Sequence, residues 1–416
     1  MPRKTLSLTT CALTLAVLLL SLPAAHATDT ERVLYSFNGT TGSEPIGLTA
    51  DASGNLYGAS TATTAQKHGS IFRLAKGPAG HWNLTVLYEF RGASDGNGPN
   101  GDLVFDSSGN LYGTTIYGGL SNLCCGTVFE LTPTASGPWK KTTLYSFTDV
   151  SAGRYSYAGV IFDTAGNLYG TTSVGGSDGG CGAAFELSPS SSGAWTETTL
   201  HGFGCGNDGN LPAAPLVFDQ KGNLYGTTGS GGGKNTTVCT AGCGTVFELT
   251  LNSGAWTEQV LYAFGDGTDG DYPDGPLVLD AAGNLYGTAG AGGDFGRGVV
   301  FELSPGTGGT WTESTLYSFE GGSDGQLPQF GLIRTRAGSF YGVTAAGGAS
   351  CNCGTVFELL PVTGGGWAEN ILYTFSSGTD GGYPYSGLAI DKQGSLYGAT
   401  TLGGTDNQGT IFRLFP

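Results

Sequence analysis

This sequence predicts an all-β fold, a seven-bladed β-propeller with four antiparallel strands in each blade. Three observations carry that expectation. A turn-and-strand signature recurs seven times. Each recurrence brings four short apolar segments, none long enough for a helix. The N-terminal segment supplies the one strand that the last copy lacks.

The signature is "GNLYGTT" at 109–115, 166–172 and 222–228. Near-copies are "GNLYGAS" at 54–60, "GNLYGTA" at 283–289, "GSFYGVT" at 338–344 and "GSLYGAT" at 394–400, spaced 55 to 61 residues apart. The preceding "DxxGN" reads as a tight hairpin, in which Asp starts the turn, Gly takes positive φ and Asn tolerates it. Leu and Tyr of the signature should pack between neighbouring blades, and its second glycine, Gly113 in the second unit, should make room near the axis.

Each unit orders its strands as A ("GLVFD"), B ("NLYGTT"), C ("GTVFEL") and D ("WTExxLYSF"). Strand A ends at Asp51, Asp106, Asp163, Asp219, Asp280, Thr335 and Asp391, in hairpins where turn chemistry accounts for the carboxylates. Several segments are apolar on both alternating positions, so both sheet faces should be buried. Four antiparallel strands repeated in this way form a propeller, whereas a linear solenoid would need polar capping repeats.

The chain ends predict closure. A lone D strand at 31–37 precedes the first A strand, and the seventh unit stops after its C strand, so the first strand should complete the last blade and leave no long edge. Trp82, Trp139, Trp195, Trp256, Trp311 and Trp367 each lie five residues before the leucine of strand D, and the split copy would need its tryptophan at Asp29.

The 416 residues include 76 glycines, more than twice average usage, without a three-residue period. That excludes collagen, and 11% aromatic content argues against disorder. Residues 1–27 read as a cleaved secretory leader: "MPRK", an apolar run from Cys11 to Leu22, and "AHA" at 25–27. Residues 28–416 then form a single propeller domain. Loss of Arg3 and Lys4 leaves 15 basic against 33 acidic residues, a net charge of −18. Such a surface repels phosphate backbones and anionic lipid, so neither nucleic acid nor a membrane surface is expected as partner. No further apolar stretch could span a bilayer. An extracellular or periplasmic monomer is expected.

The pattern "GNLYGTTxxGGxxxxGTVFEL" resembles the GloVer (Gloeo/Verruco-type) tandem repeat of exported bacterial proteins, over nearly all of residues 31–416. The resemblance implies an extracytoplasmic location and a tandem array, with no established activity. A weaker likeness is to Kelch propellers, through Gly118-Gly119 with Trp139 and Gly175-Gly176 with Trp195. A Kelch-type copper oxidase would need histidine ligands, and the processed chain has only His68, His81 and His201, in three different contexts. No cofactor and no metal are expected.

Loop lengths pick out one face. The D–A stretch from Arg91 to Asp102 has twelve residues and the B–C stretch from Ile116 to Gly126 has eleven, and both emerge on the same side. Long loops on one face of a rigid ring are where binding resides. Within the D–A loops Asp95, Asp208, Asp269, Asp324 and Asp380 recur in "DGxxP" motifs. They read either as Asx-turn caps or as a ring of carboxylates that attracts a cation or sugar hydroxyls. Departures from the repeat add Arg154, Tyr155, Tyr157, Arg334 and Arg336 as candidate ligand contacts. Matches to G-x-S-x-G at 92–96, 175–179 and 321–325 lack the strand-to-helix elbow and the histidine, so no catalytic residue is assigned.

Eight cysteines follow the leader, an even number that favours disulfides over zinc in an exported chain. Cys125, Cys181, Cys243 and Cys353 occupy equivalent positions before strand C, and equivalents in different blades should lie beyond the roughly 7 Å that a bridge can span. Each should therefore join its nearest remaining cysteine, giving Cys124–Cys125, Cys181–Cys205, Cys239–Cys243 and Cys351–Cys353. Two functional readings remain. One is a non-catalytic exported propeller that binds a polysaccharide or protein through the long-loop face. The other is a hydrolase or lyase acting on a carbohydrate or lactone in the central channel.

Overall fold

The computed structural model describes residues 31–416 apart from 63–67, 120–123, 136, 149–150, 177–179, 235–238, 266 and 349–350. The leader expected at 1–27 lies outside the described residues. Seven four-stranded antiparallel sheets follow one another around a ring. Blade 1 comprises Ser43–Ala50, Leu56–Ala62, Ser70–Lys76 and Trp82–Glu89. Blades 2 to 6 span 97–146, 161–202, 217–263, 278–318 and 333–374. Blade 7 takes Ala389–Ile390, Leu396–Thr400 and Thr410–Leu414 from the C-terminal end and Arg32–Ser36 from the other. The closing ladder pairs Val33 with Phe412 and Ser36 with Thr410.

An aromatic belt explains why the same residues recur. The phenylalanine that ends strand D of one blade meets the strand-C phenylalanine of the next edge to face. Phe90–Phe129 lie 5.2 Å apart and Phe203–Phe247 5.1 Å. The contact crosses both closing seams, at 5.1 Å for Phe375–Phe412 and 5.4 Å for Phe37–Phe72. These rings are fully buried, and tilted aromatic pairs add to the stabilisation from area burial. The signature glycine serves the belt: a Cβ on Gly113 would lie 2.8 Å from the Phe129 ring and 2.7 Å from Leu103. Its space is thus taken by side chains of its own blade.

The A–B hairpins have one design. Asp51 Oδ1 accepts the amides of Ser53 and Asn55, while Oδ2 accepts the Asn55 side-chain amide and the Tyr57 hydroxyl. Asp106 and Asp163 repeat all four bonds. In blade 6, Thr335 and Ser339 replace the pair with a hydroxyl–hydroxyl contact of 2.8 Å.

The inner strand differs from the expected five-residue "GLVFD" segment. In blades 3 to 7 it is a two-residue ladder, such as Val217–Phe218. The chain pairs once more further back, as at Asn210↔Ser230 and Gln326↔Ala346. Between these points the ladder is interrupted, and blades 1 and 2 carry the same interruption inside longer strands, as register shifts between Ile46 and Thr49 and between Asn100 and Val104.

Candidate functional site

The isolated bridges Arg154↔Val174, Asn210↔Ser230, Asp271↔Ala291 and Gly382↔Leu402 tie D–A loops to B–C loops, so both sets share one face. On that face a latch recurs at every seam. The residue preceding the proline position is left-handed in each blade: Glu44, Gly98, Tyr155, Leu211, Tyr272, Leu327 and Tyr383, with φ between 50° and 64°. Such a conformation is strained for any side chain but glycine. Its amide bonds across the seam, from Leu211 to the Cys181 carbonyl at 3.0 Å and from Tyr272 to that of Cys243 at 2.9 Å. The proline then lies on the glycine that opens strand C of the preceding blade. A Cβ there would sit 2.5 Å from Pro212 at Gly182 and 2.5 Å from Pro273 at Gly244.

The cysteines surround this latch. Four disulfides form, Cys124–Cys125, Cys181–Cys205, Cys239–Cys243 and Cys351–Cys353. Among the described residues, Cys239, Cys243 and Asp271 bring potential metal-ligand atoms within 4.8 Å of one another. Both thiols of that group are committed to a disulfide.

The five "DGxxP" carboxylates engage their own loops. Asp95 accepts the Tyr88 hydroxyl and the Arg91 amide, both at 2.8 Å, and pairs with Lys141 at 3.3 Å. Asp208 meets His201 Nε2 at 3.3 Å and the Gly204 amide at 2.8 Å. Asp269, Asp324 and Asp380 accept the hydroxyls of Tyr262, Tyr317 and Tyr373 at 2.8, 2.9 and 3.1 Å. Burial first, then Asp95 for Tyr88, Asp324 for Tyr317, and Glu31 ahead of Asp380 for Tyr373, push the three phenols well above the usual range. The five aspartates thus sit at the seams.

The other candidates separate. Arg154 stacks over Tyr155 at 5.6 Å, and Tyr155 meets Tyr117 edge-on at 5.6 Å, all on the long-loop face. Arg334 lies at the hairpin end of blade 6, 3.9 Å from Asp280 and over the Tyr286 ring. Arg336 falls within the Thr335–Ser339 hairpin turn. Both arginines therefore sit toward the face opposite the long loops. Tyr157 alone of the ten lines the channel.

That channel holds a cavity of about 690 Å³ to which every blade contributes. Its ring is built from the residue just after the loop proline, or after Ser156 where blade 3 replaces it: Ile46, Asn100, Tyr157, Ala213, Asp274, Gln329 and Tyr385. Phe330 and Tyr385 pack with their rings tilted by 49° and centroids 4.6 Å apart. Tyr157 and Tyr385 are 40% and 49% exposed, large values for aromatic groups. Ser386 is buried with its hydroxyl unpartnered. Two carboxyls face the cavity. Asp102 is accessible from the channel yet packed round by neighbouring blades. Burial pushes it up to about 6, partly offset by the Leu48 amide. Asp274 is likewise raised by burial. The sequence carries no motif for this ring, since the residues on both sides of the repeated proline change from copy to copy.

A further set of carboxyls lies between blades. Glu31, Glu258 and Glu369 occupy equivalent strand-D positions, each with a buried Oε1 that has no partner. Burial, and then the neighbouring Asp380, Asp208 or Asp324, push them up to about 7, 7 and 8. Two residues on, these strands carry Val33, Val260 and Ile371. Blades 3 and 5 have Thr199 and Thr315 there, which donate to Glu197 and Glu313 at 3.0 and 3.1 Å.

The family model described as the Gloeobacter/Verrucomicrobia repeat matches residues 23–240 and 237–416. No curated protein shows significant sequence similarity to the chain. Among solved structures, a provisionally assigned oxidoreductase (glucose dehydrogenase) of Thermus thermophilus is 15% identical. It aligns over 93% of this chain and 100% of its own, with a TM-score of 0.47. A Dyadobacter fermentans protein of unknown function is 10% identical over 92% of this chain and 97% of its own, with a TM-score of 0.41. At these scores neither likeness carries a functional argument, and Kelch-like is only a loose description of the ring.

Proposed function

The chain belongs to the Gloeobacter/Verrucomicrobia repeat family, and we propose that it is an exported, non-catalytic propeller, monomeric, that binds a polysaccharide or partner protein through its long-loop face. The supporting observation is the cavity of about 690 Å³ formed where the D–A loops of all seven blades converge. Export is supported by four disulfides, which persist in oxidising compartments, and by the leader pattern at 1–27. No helix among the described residues is long and apolar enough to cross a membrane. A second reading, a carbohydrate- or lactone-active hydrolase or lyase, draws on Asp102 and Asp274, two carboxyls raised by burial within the same channel.

The test is an array of wall and matrix polysaccharides probed with residues 28–416, beside a hydrolase screen and an affinity capture with extracellular proteins. Retention without turnover supports the binding reading. Turnover lost in Asp102→Asn or Asp274→Asn establishes the enzyme instead, and retention on neither polysaccharide nor protein removes the binding reading.

A further inference from the structure

We propose that the channel ring is a binding site for an uncharged saccharide, entered from the long-loop face, with the Phe330–Tyr385 pair as the stacking platform. This rests on the binding reading above and names its ligand.

Repetition supplies the first argument. Every blade meets the same neighbours, so a position whose side chain has a structural duty keeps its residue: the proline recurs in six blades, and a leucine three or four residues later recurs in six. The position after the proline has the same backbone placement seven times, yet it carries Ile, Asn, Tyr, Ala, Asp, Gln and Tyr in chain order. All seven line one cavity. A seven-fold ring furnished with an asymmetric set of groups matches an asymmetric small molecule, not the fold. Nor does that set read as inert surface, since two of its members are tyrosines about half exposed.

Chemistry narrows the ligand. Among the described residues, no lysine, arginine or histidine lines the cavity, whereas Asp102 and Asp274 do. A phosphate, uronate or other anion would meet repulsion there, reinforced by a net charge of −16. Nor does the lining form a cation cage, since among the described residues it supplies only these two carboxyls and no histidine or cysteine beside them. What remains is a set suited to hydroxyls. The carboxyls can accept, the Gln329 amide can accept or donate, the buried Ser386 hydroxyl has no partner, and Asn100 spends one N–H on the Tyr157 carbonyl at 2.5 Å while keeping its carbonyl oxygen. Aromatic faces beside such groups recognise a ring with one apolar side and a polar rim. The volume lies within the roughly 300–1,000 Å³ of small-molecule sites, room for the end of a short oligosaccharide.

The experiment is calorimetric titration of residues 28–416 with cellobiose, maltose and laminaribiose, against digalacturonic acid and the glucosamine disaccharide. Variants are Tyr385→Ala, Gln329→Leu and, on the opposite face, Lys392→Ala, with thermal unfolding confirming that each is folded. At least one neutral disaccharide should bind with a Kd below about 1 mM. It should lose about tenfold in Tyr385→Ala and a similar factor in Gln329→Leu, while Lys392→Ala binds like the parent. Binding only by the acidic or the amine-bearing sugar overturns the inference, as does no binding by any neutral one. Neutral-sugar binding that both channel variants leave intact also overturns it but preserves the long-loop-face reading. Capture of an extracellular protein by a chain that binds no sugar likewise separates the two.

Discussion

The amide of Tyr383 donates to the carbonyl of Cys353 at 2.7 Å, fastening a loop of blade 7 to the start of a strand in blade 6. The equivalent bond joins Tyr155 to Cys125 at 2.9 Å, and Leu327 to Arg297 at 3.0 Å where no cysteine is present. The latch is therefore a backbone device that serves every seam, and the disulfides reinforce it at four of them. It also positions the residues that ring the channel, which follow one proline later.

Gly354 tests the latch. Its φ is +92°, and a Cβ would lie 2.6 Å from Pro384 and 2.4 Å from the Thr344 carbonyl. Gly354→Ala should lower stability by about 1–3 kcal/mol, through overpacking and backbone strain. Urea unfolding with an unchanged midpoint would contradict the contact.

The disulfides should differ in worth. Cys181–Cys205 closes a separation of 24 residues and Cys239–Cys243 one of 4. On a loop-entropy basis, replacing the first pair by serine should cost about 3 kcal/mol and the second about 2 kcal/mol. Calorimetric melting of the two double variants measures the order, and the reverse order would show that the seams draw their strength elsewhere.

Stability should fall as pH rises. Glu31, Glu258 and Glu369 have folded-state values of about 7, 7 and 8, above the ordinary 4.5. The folded chain therefore binds their protons more tightly than the unfolded chain does. That contribution is fully present below about 4.5 and is lost as pH climbs through 7 to 8. The hairpin aspartates behave oppositely. Burial raises Asp51 and Asp106, but the amide and Asn bonds outweigh it and hold both below the usual carboxylate range, so their loss is confined to strongly acidic solution. Urea midpoints should drop between pH 5.5 and 8.5, and the drop should shrink in the triple Glu→Gln variant. Val260→Thr should also reduce it, by giving Glu258 the donor that Thr199 gives Glu197. A flat profile in the parent would exclude strained carboxyls at the seams.

The blades were legible because their strands carry structural duties that repeat in register, and the lone strand at 31–37 disclosed the closure. The shortened inner strand was not legible, since apolar patterning does not mark the break in the ladder that blades 1 and 2 show as register shifts. The "DGxxP" aspartates drew attention as a ring of charge. Their hydroxyl partners stand seven residues earlier, as in Tyr262 and Asp269 or Tyr317 and Asp324, and that constant spacing is readable in hindsight. The channel ring has no motif of its own. Ile46, Asn100, Ala213 and Gln329 share a place in the fold and no chemistry, so they stand out only once the backbone sets them side by side.

Circular closure underlies the channel, the latch and the single loop-bearing face, and hydrogen exchange tests it most directly. Amides of 410–414 should be strongly protected in residues 28–416, where Val33 pairs with Phe412 and Ser36 with Thr410. They should exchange at least tenfold faster when residues 28–37 are deleted. Equal protection in both chains would mean that the first strand does not complete the seventh blade.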